Sequence, residues 1–130
     1  MTINNIQAFI GGLWDWAILD GCFGNTRIKP ADSDGIVERN GLLLILEAKG
    51  PNVELPTGQR IMFANLAKRG TATTIVVWGD PGQPTHYMVF HKRQKPKRKP
   101  CNLAILRRAV SNWYKWADSP ENADTLRAAS

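Results

Sequence analysis

Asn40-Gly41 separates two β-rich runs, residues 34–39 and residues 42–49. Asn-Gly in that setting is the strongest short-range hairpin signal, because a type I′ turn needs positive φ at both central positions. A two-residue turn also fixes register. Arg39 then faces Leu42, and counting outward puts Asp34 opposite Glu47 and Asp32 opposite Lys49. Paired residues share a face of the sheet, and side chains alternate along each strand. Asp32, Asp34, Glu47 and Lys49 are therefore expected on one face at the open end of the hairpin. Glu38 falls on that face nearer the turn, opposite Leu43, and reads as a solvated acid.

The second strand is apolar over residues 42–46 and then ends on Glu47 and Lys49. Directly opposed residues have β-carbons about 5 Å apart, where two carboxylates repel. A hard divalent cation offsets that repulsion. Mg²⁺ accepts one or two carboxylates while water and phosphate complete its shell. Lys49, one step further on the same face, is set to reach a phosphate or a bound water. The plainer reading is a surface ion-pair cluster in which Asp32 pairs with Lys49 or caps a turn. The buried approach to Glu47 favours the metal reading.

The remaining pattern is regular. Residues 4–19 carry apolar side chains at three- and four-residue steps and read as a helix weakened by Gly11 and Gly12. Residues 21–30 read as a loop. Thr57 is expected to cap a helix over 58–69, with Lys68 and Arg69 suiting its C-terminal end and Gly70 its left-handed stop. Residues 71–79 read as a buried strand and 80–84 as a turn. Residues 85–91 read as a strand near an edge. A last helix over 102–117 turns Leu103, Leu106, Val110, Trp113 and Ala117 to one side. The order α-β-β-α-β-β-α implies an α/β (α+β) mixed sheet of about four to five strands flanked by helices. One domain is expected over 1–117, followed by a polar, fraying tail over 118–130.

Charge is concentrated. The chain has 17 Lys and Arg against 11 Asp and Glu, and six of the basic residues fall within 91–100 without an acid. The body is thus neutral, and the excess is one stretch: Lys92, Arg93, Lys95, Lys97, Arg98 and Lys99. Such a stretch fits a polyanion, with Arg107, Arg108 and Lys115 of the last helix as a companion surface. A solvated loop is the bland alternative.

No apolar run approaches the ~20 residues that span a bilayer, and the N-terminus lacks the pattern of a signal peptide. Cys22 and Cys101 are far apart, which suggests free thiols, a cytoplasmic setting and no structural zinc. His86 and His91 point to opposite faces and form no metal pair. Of the five tryptophans, most sit at core spacing. Trp116 stands out as a residue that could stack on a base.

The arrangement Asp34, Glu47-Ala48-Lys49 resembles the signature of the PD-(D/E)XK nuclease superfamily, which carries an Asp on one strand of a hairpin and (Asp/Glu)-x-Lys on the next. The likeness spans about half the chain, and "DSDGIVERNG…LILEAKG…LPTGQ" is similar in wording to short phage proteins of that group. It implies a restriction-endonuclease-like fold and a Mg²⁺- or Mn²⁺-dependent endonuclease hydrolysing phosphodiester bonds in DNA. Among small members, the Holliday-junction-resolvase-like and VRR-NUC-like types imply selectivity for branched or flapped DNA, a homodimer, and work inside a bacterial host cell. Carried over, Asp34, Glu47 and the carbonyl of Ala48 hold the metal, and Lys49 activates or orients water. Asp32 is the alternative carboxylate. Gln59 matches a Gln that several branches place at the start of the next helix. Where some branches have QxxxY, this chain has Gln59 and Phe63. The acid that the superfamily often has in its first helix has only Asp15 or Asp20 as a counterpart. The alternative from another class is a catalytically inactive module of the same fold that binds DNA or a protein.

Overall fold

The computed structural model describes residues 12–123. The chain divides into two compact units, Met1–Asp32 and Ser33–Ser130.

In the first unit, the expected helix over 4–19 lies outside the described residues as far as residue 11. Of the remainder, only Trp16–Leu19 turns, as a single 3₁₀ turn. Asp15 precedes it with extended φ and ψ, and its carboxylate accepts the Ala17 N–H at 2.9 Å. A side chain that satisfies a nearby backbone N–H this way caps a turn and does not continue a helix. Asp20 closes the turn, and the loop over 21–30 follows as expected.

The second unit holds β1 (Gly35–Arg39), β2 (Leu42–Lys49), α1 (Thr57–Lys68), β3 (Ala72–Asp80), β4 (Gln83–Phe90), β5 (Lys99–Pro100) and α2 (Leu103–Ala117). The strands form one mixed sheet in the order β1-β2-β3-β4-β5. Only β2 and β3 run parallel. Parallel neighbours need a long crossover, and α1 supplies it. The hairpin forms as its turn dictates. Asn40 and Gly41 have φ of 55° and 80°, and the ladder runs from Arg39 opposite Leu42 to Gly35 opposite Leu46.

Alternation divides the apolar residues between two cores. On the α1 side Phe63, Val76, Trp78, Met88 and Phe90 are buried, with Ile45 packed against them. On the α2 side Leu44, Ile75, Trp113 and Ala117 are buried, with Leu46, Leu106 and Val110 around them. The sheet is thus covered on both faces. Glu47 and Lys49 follow Ile45 by steps of two and share the α1 face.

Some boundaries differ from expectation. Thr57 does not cap α1. It is the helix's first residue, and Pro56 stands at the cap without a side-chain bond. The β3–β4 turn uses only Pro81 and Gly82, so Asp80 pairs with Gln83 and β4 starts two residues earlier than predicted. A bulge at Trp78/Gly79 absorbs the mismatch. Gly79 has φ of 147°, and an added Cβ would collide with the Gln83 carbonyl, so no other residue fits there unshifted. Short β5, drawn from the basic run, pairs with His86 and Tyr87, so β4 is an edge only along its other half. Leu103 is exposed, because α2 turns towards the sheet only from Leu106 onward. The chain after α2 is held through residue 122. Asp118 is ion-paired with Arg39, and Asn122 donates to the Trp116 carbonyl at 2.8 Å. Residues 124–130 of the expected tail lie outside the described residues. No described helix is long and apolar enough to cross a membrane.

Candidate functional site

At the open end of the hairpin, Asp34 sits just before β1, and its Oδ2 accepts the Ala48 N–H at 2.8 Å. This bond holds the Asp34 carboxylate against β2 where the ladder stops. The N–H and C=O of a strand residue point to the same side. The Ala48 carbonyl therefore also leaves β2 on the Asp34 side and not towards β3.

Glu47 is only 7% exposed. Burial pushes its carboxyl above the usual range, and the neighbouring charge of Asp34 and a hydrogen bond with Asp34 push it further. Lys49 and the Gln59 amide pull it back. Asp34, Glu47, Lys49 and Gln59 thus interact through one group, Glu47. Gln59 comes from the first turn of α1, and its Oε1 is buried without a hydrogen-bond partner. Lys49 is half-buried at the end of β2, beside Trp78 of β3. The Trp78 indole donates to the Val53 carbonyl at 2.5 Å, which ties the β2–α1 loop to the sheet beneath. Phe63 of the Gln59-Phe63 pair is fully buried in the core, so its position serves packing.

No group of three or more His, Cys, Asp and Glu side chains set to hold a metal exists among the described residues. The site offers two carboxylates and a carbonyl. That set suits a hard, hydrated cation such as Mg²⁺, which keeps water and takes one or two carboxylates, and does not suit a dehydrated all-protein cage. Burial raises Glu47 most, and the repulsion from Asp34 that adds to it is of the kind a cation relieves. Asp32, the alternative carboxylate, ends the first unit. Asp15 and Asp20 also belong to that unit, where Asp15 is engaged as a cap.

The basic residues have several different surroundings. Lys92 follows β4 at one end of the strand, with Nζ 5.2 Å from the centre of the Trp116 ring. His91 meets the same ring edge-on at 4.7 Å and lies 2.8 Å from the Thr73 hydroxyl. Arg93 lines a cavity of about 400 Å³ with Lys68 and Arg69 at the C-terminal end of α1. Lys95 and Lys97 are exposed on the way back. Arg98 stands just before β5, its guanidinium 4.2 Å from the centre of Trp78, the residue paired with Lys49. Lys99 and Arg108 line a groove beside α2, while Arg107 is exposed. Arg98 is thus the cation of the run that stacks on Trp78, the cross-strand partner of Lys49. Only the pairing of β5 with β4 reveals this, and a two-residue strand leaves no periodicity to read. Trp14 and Trp16, read as packing residues, are exposed.

Comparisons with family models, with curated proteins and with solved structures gave no match.

Proposed function

We propose that the chain is a metal-dependent phosphodiesterase with a restriction-endonuclease-like fold of the PD-(D/E)XK type, acting on DNA and selective for branched or flapped structures. The observation that carries this reading is the fixing of Asp34 to the Ala48 amide beside buried, charge-repelled Glu47. A stability-driven sequence has no reason to bury one acid against another, whereas a cation site requires it.

In this reading Asp34, Glu47 and the Ala48 carbonyl hold Mg²⁺ or Mn²⁺. When bound, the ion supplies Lewis acidity towards the phosphate and charge neutralisation at the leaving oxygen. Lys49 holds the attacking water or a phosphate oxygen by charge-assisted hydrogen bonds. Gln59, with an unsatisfied Oε1 in the same cluster, orients that water. Arg98, stacked on Trp78 near Lys49, tracks the phosphate backbone. A homodimer would place two such sites on two strands.

Incubation with branched, flapped, single-stranded and duplex DNA, and with RNA, in Mg²⁺ or Mn²⁺ tests this. The expected result is cleavage of branched or flapped DNA that EDTA and Glu47→Ala both abolish. Binding without cleavage under every metal would overturn the enzyme reading in favour of a DNA-binding module. Absence of both would leave a protein-interaction role.

A further inference from the structure

On the face of the sheet opposite to Glu47, α2 does not cover β4 completely. A groove of about 430 Å³ runs between them, within the range of small-molecule sites. Its floor is laid by Ile75, Tyr87 and Val89, which alternation turns to this face. Its wall is a helical stripe of α2 at three- and four-residue steps, including Ile105, Arg108, Ala109, Asn112 and Trp116. Trp113 also lines it, and its buried indole N–H has no hydrogen-bond partner. Two cations flank the groove. Lys99 faces Tyr87 across the β4–β5 ladder and so shares its side, and Arg108 stands on the helix opposite.

We propose that this groove binds a nucleoside monophosphate, with the base among Tyr87, Trp113 and Trp116 and the phosphate between Lys99 and Arg108. Two cations lining one groove match a dianion better than a monoanion, and Arg is suited to phosphate. Aromatic rings offer a stacking surface to any base, and Asn112 supplies both donor and acceptor to a base edge. The proposal does not rest on the phosphodiesterase reading, because Glu47 and its partners lie on the other face.

The test is a titration of the full chain with adenosine 5′-monophosphate, followed by tryptophan fluorescence. Inorganic phosphate and adenosine serve as separate arms. A saturable change is expected with the nucleotide, at least about tenfold weaker for either half alone. Arg108→Ala and Lys99→Ala should each weaken it by about tenfold. Both positions are exposed, so far-UV circular dichroism should be unchanged. Glu47→Ala should bind as the wild type does. No saturable change overturns the proposal, as does phosphate alone binding equally well. Equal binding by both cation variants overturns it too, and so does loss of binding in Glu47→Ala.

Discussion

Both ends of the β1–β2 hairpin carry charge, and the two ends use it in opposite ways. At the turn, the charged and amide side chains of Glu38, Arg39 and Asn40 each have a partner. Arg39 Nε donates to Asp118 at 2.6 Å, the Asn40 amide donates to the Ala117 carbonyl at 3.0 Å, and Glu38 accepts the Gly41 N–H at 2.7 Å. These contacts dock the turn onto the end of α2. At the open end, two acids lie together, one of them is buried, and the nearby amide of Gln59 has an oxygen with no partner. The same hairpin thus closes its structure at one end and leaves a cost standing at the other. Real folds keep such local conflicts where function needs them.

The largest expected effect separates the ends by chemistry. Under the proposed function, Glu47→Gln and Asp34→Asn should each lower phosphodiesterase turnover by at least about 10²-fold, since each would remove a direct ligand of the proposed cation and even indirect ones cost 10- to 100-fold. Arg39→Ala should leave turnover unchanged. Full activity in Glu47→Gln, in a preparation shown to cleave branched DNA, would erase the distinction.

The next effect separates them by stability. Asn40 has φ of 55° and anchors the turn to α2. Asn40→Ala should destabilise the fold by about 1–2 kcal/mol through the left-handed backbone and the lost hydrogen bond. Chemical denaturation would measure this. A neutral result would mean that the turn is not held by that amide.

Within the basic run the same contrast recurs on a smaller scale. Arg98→Ala should weaken DNA binding by a factor of about 5–10, about 1 kcal/mol, while Lys92→Ala at the far end of β4 should change it less. Filter-binding or anisotropy titrations at one salt concentration decide between them, and equal losses would make the run a single undifferentiated patch.

The hairpin was legible because one dipeptide, Asn40-Gly41, dictates both turn type and register. From these came the pairing, the face shared by Glu47 and Lys49, and the approach of Asp34. The approach is more specific than pairing alone suggests, since the Asp34 carboxylate bonds to the Ala48 amide. Less legible were features set by distant partners. The start of β4 depends on a bulge at Gly79 that only its contact with Gln83 explains. β5 exists because Lys99 and Pro100 meet Tyr87 and His86, and no local propensity marks Lys-Pro as a strand. Thr57 has the chemistry of a cap, yet the chain enters the helix one residue earlier, at Pro56. Residues 12–15 belong to a stretch with helical spacing, but Asp15 satisfies the Ala17 amide and the described turn starts only at Trp16.

The smallest effect is also the one that tests the cost directly. Glu47 has its folded-state carboxyl raised above the unfolded one, chiefly by burial and then by Asp34. Protonated Glu47 is therefore favoured by folding, and its contribution is fully present below the ordinary carboxylate range, near pH 4.3. It is lost as the pH rises through the raised value. Glu47→Gln keeps the shape and removes the charge, so it should match the wild type at low pH. At neutral pH without divalent cations it should be the more stable of the two. Mg²⁺ should reverse the order, because a ligand that binds only the folded wild type raises its stability with concentration, and the Gln variant lacks the second carboxylate. Melting temperatures of both proteins across pH 4–8, with and without Mg²⁺, supply the measurement. A wild type more stable than Glu47→Gln at neutral pH without metal would show that the open end carries no cost, and that its charges are as well compensated as those at the turn.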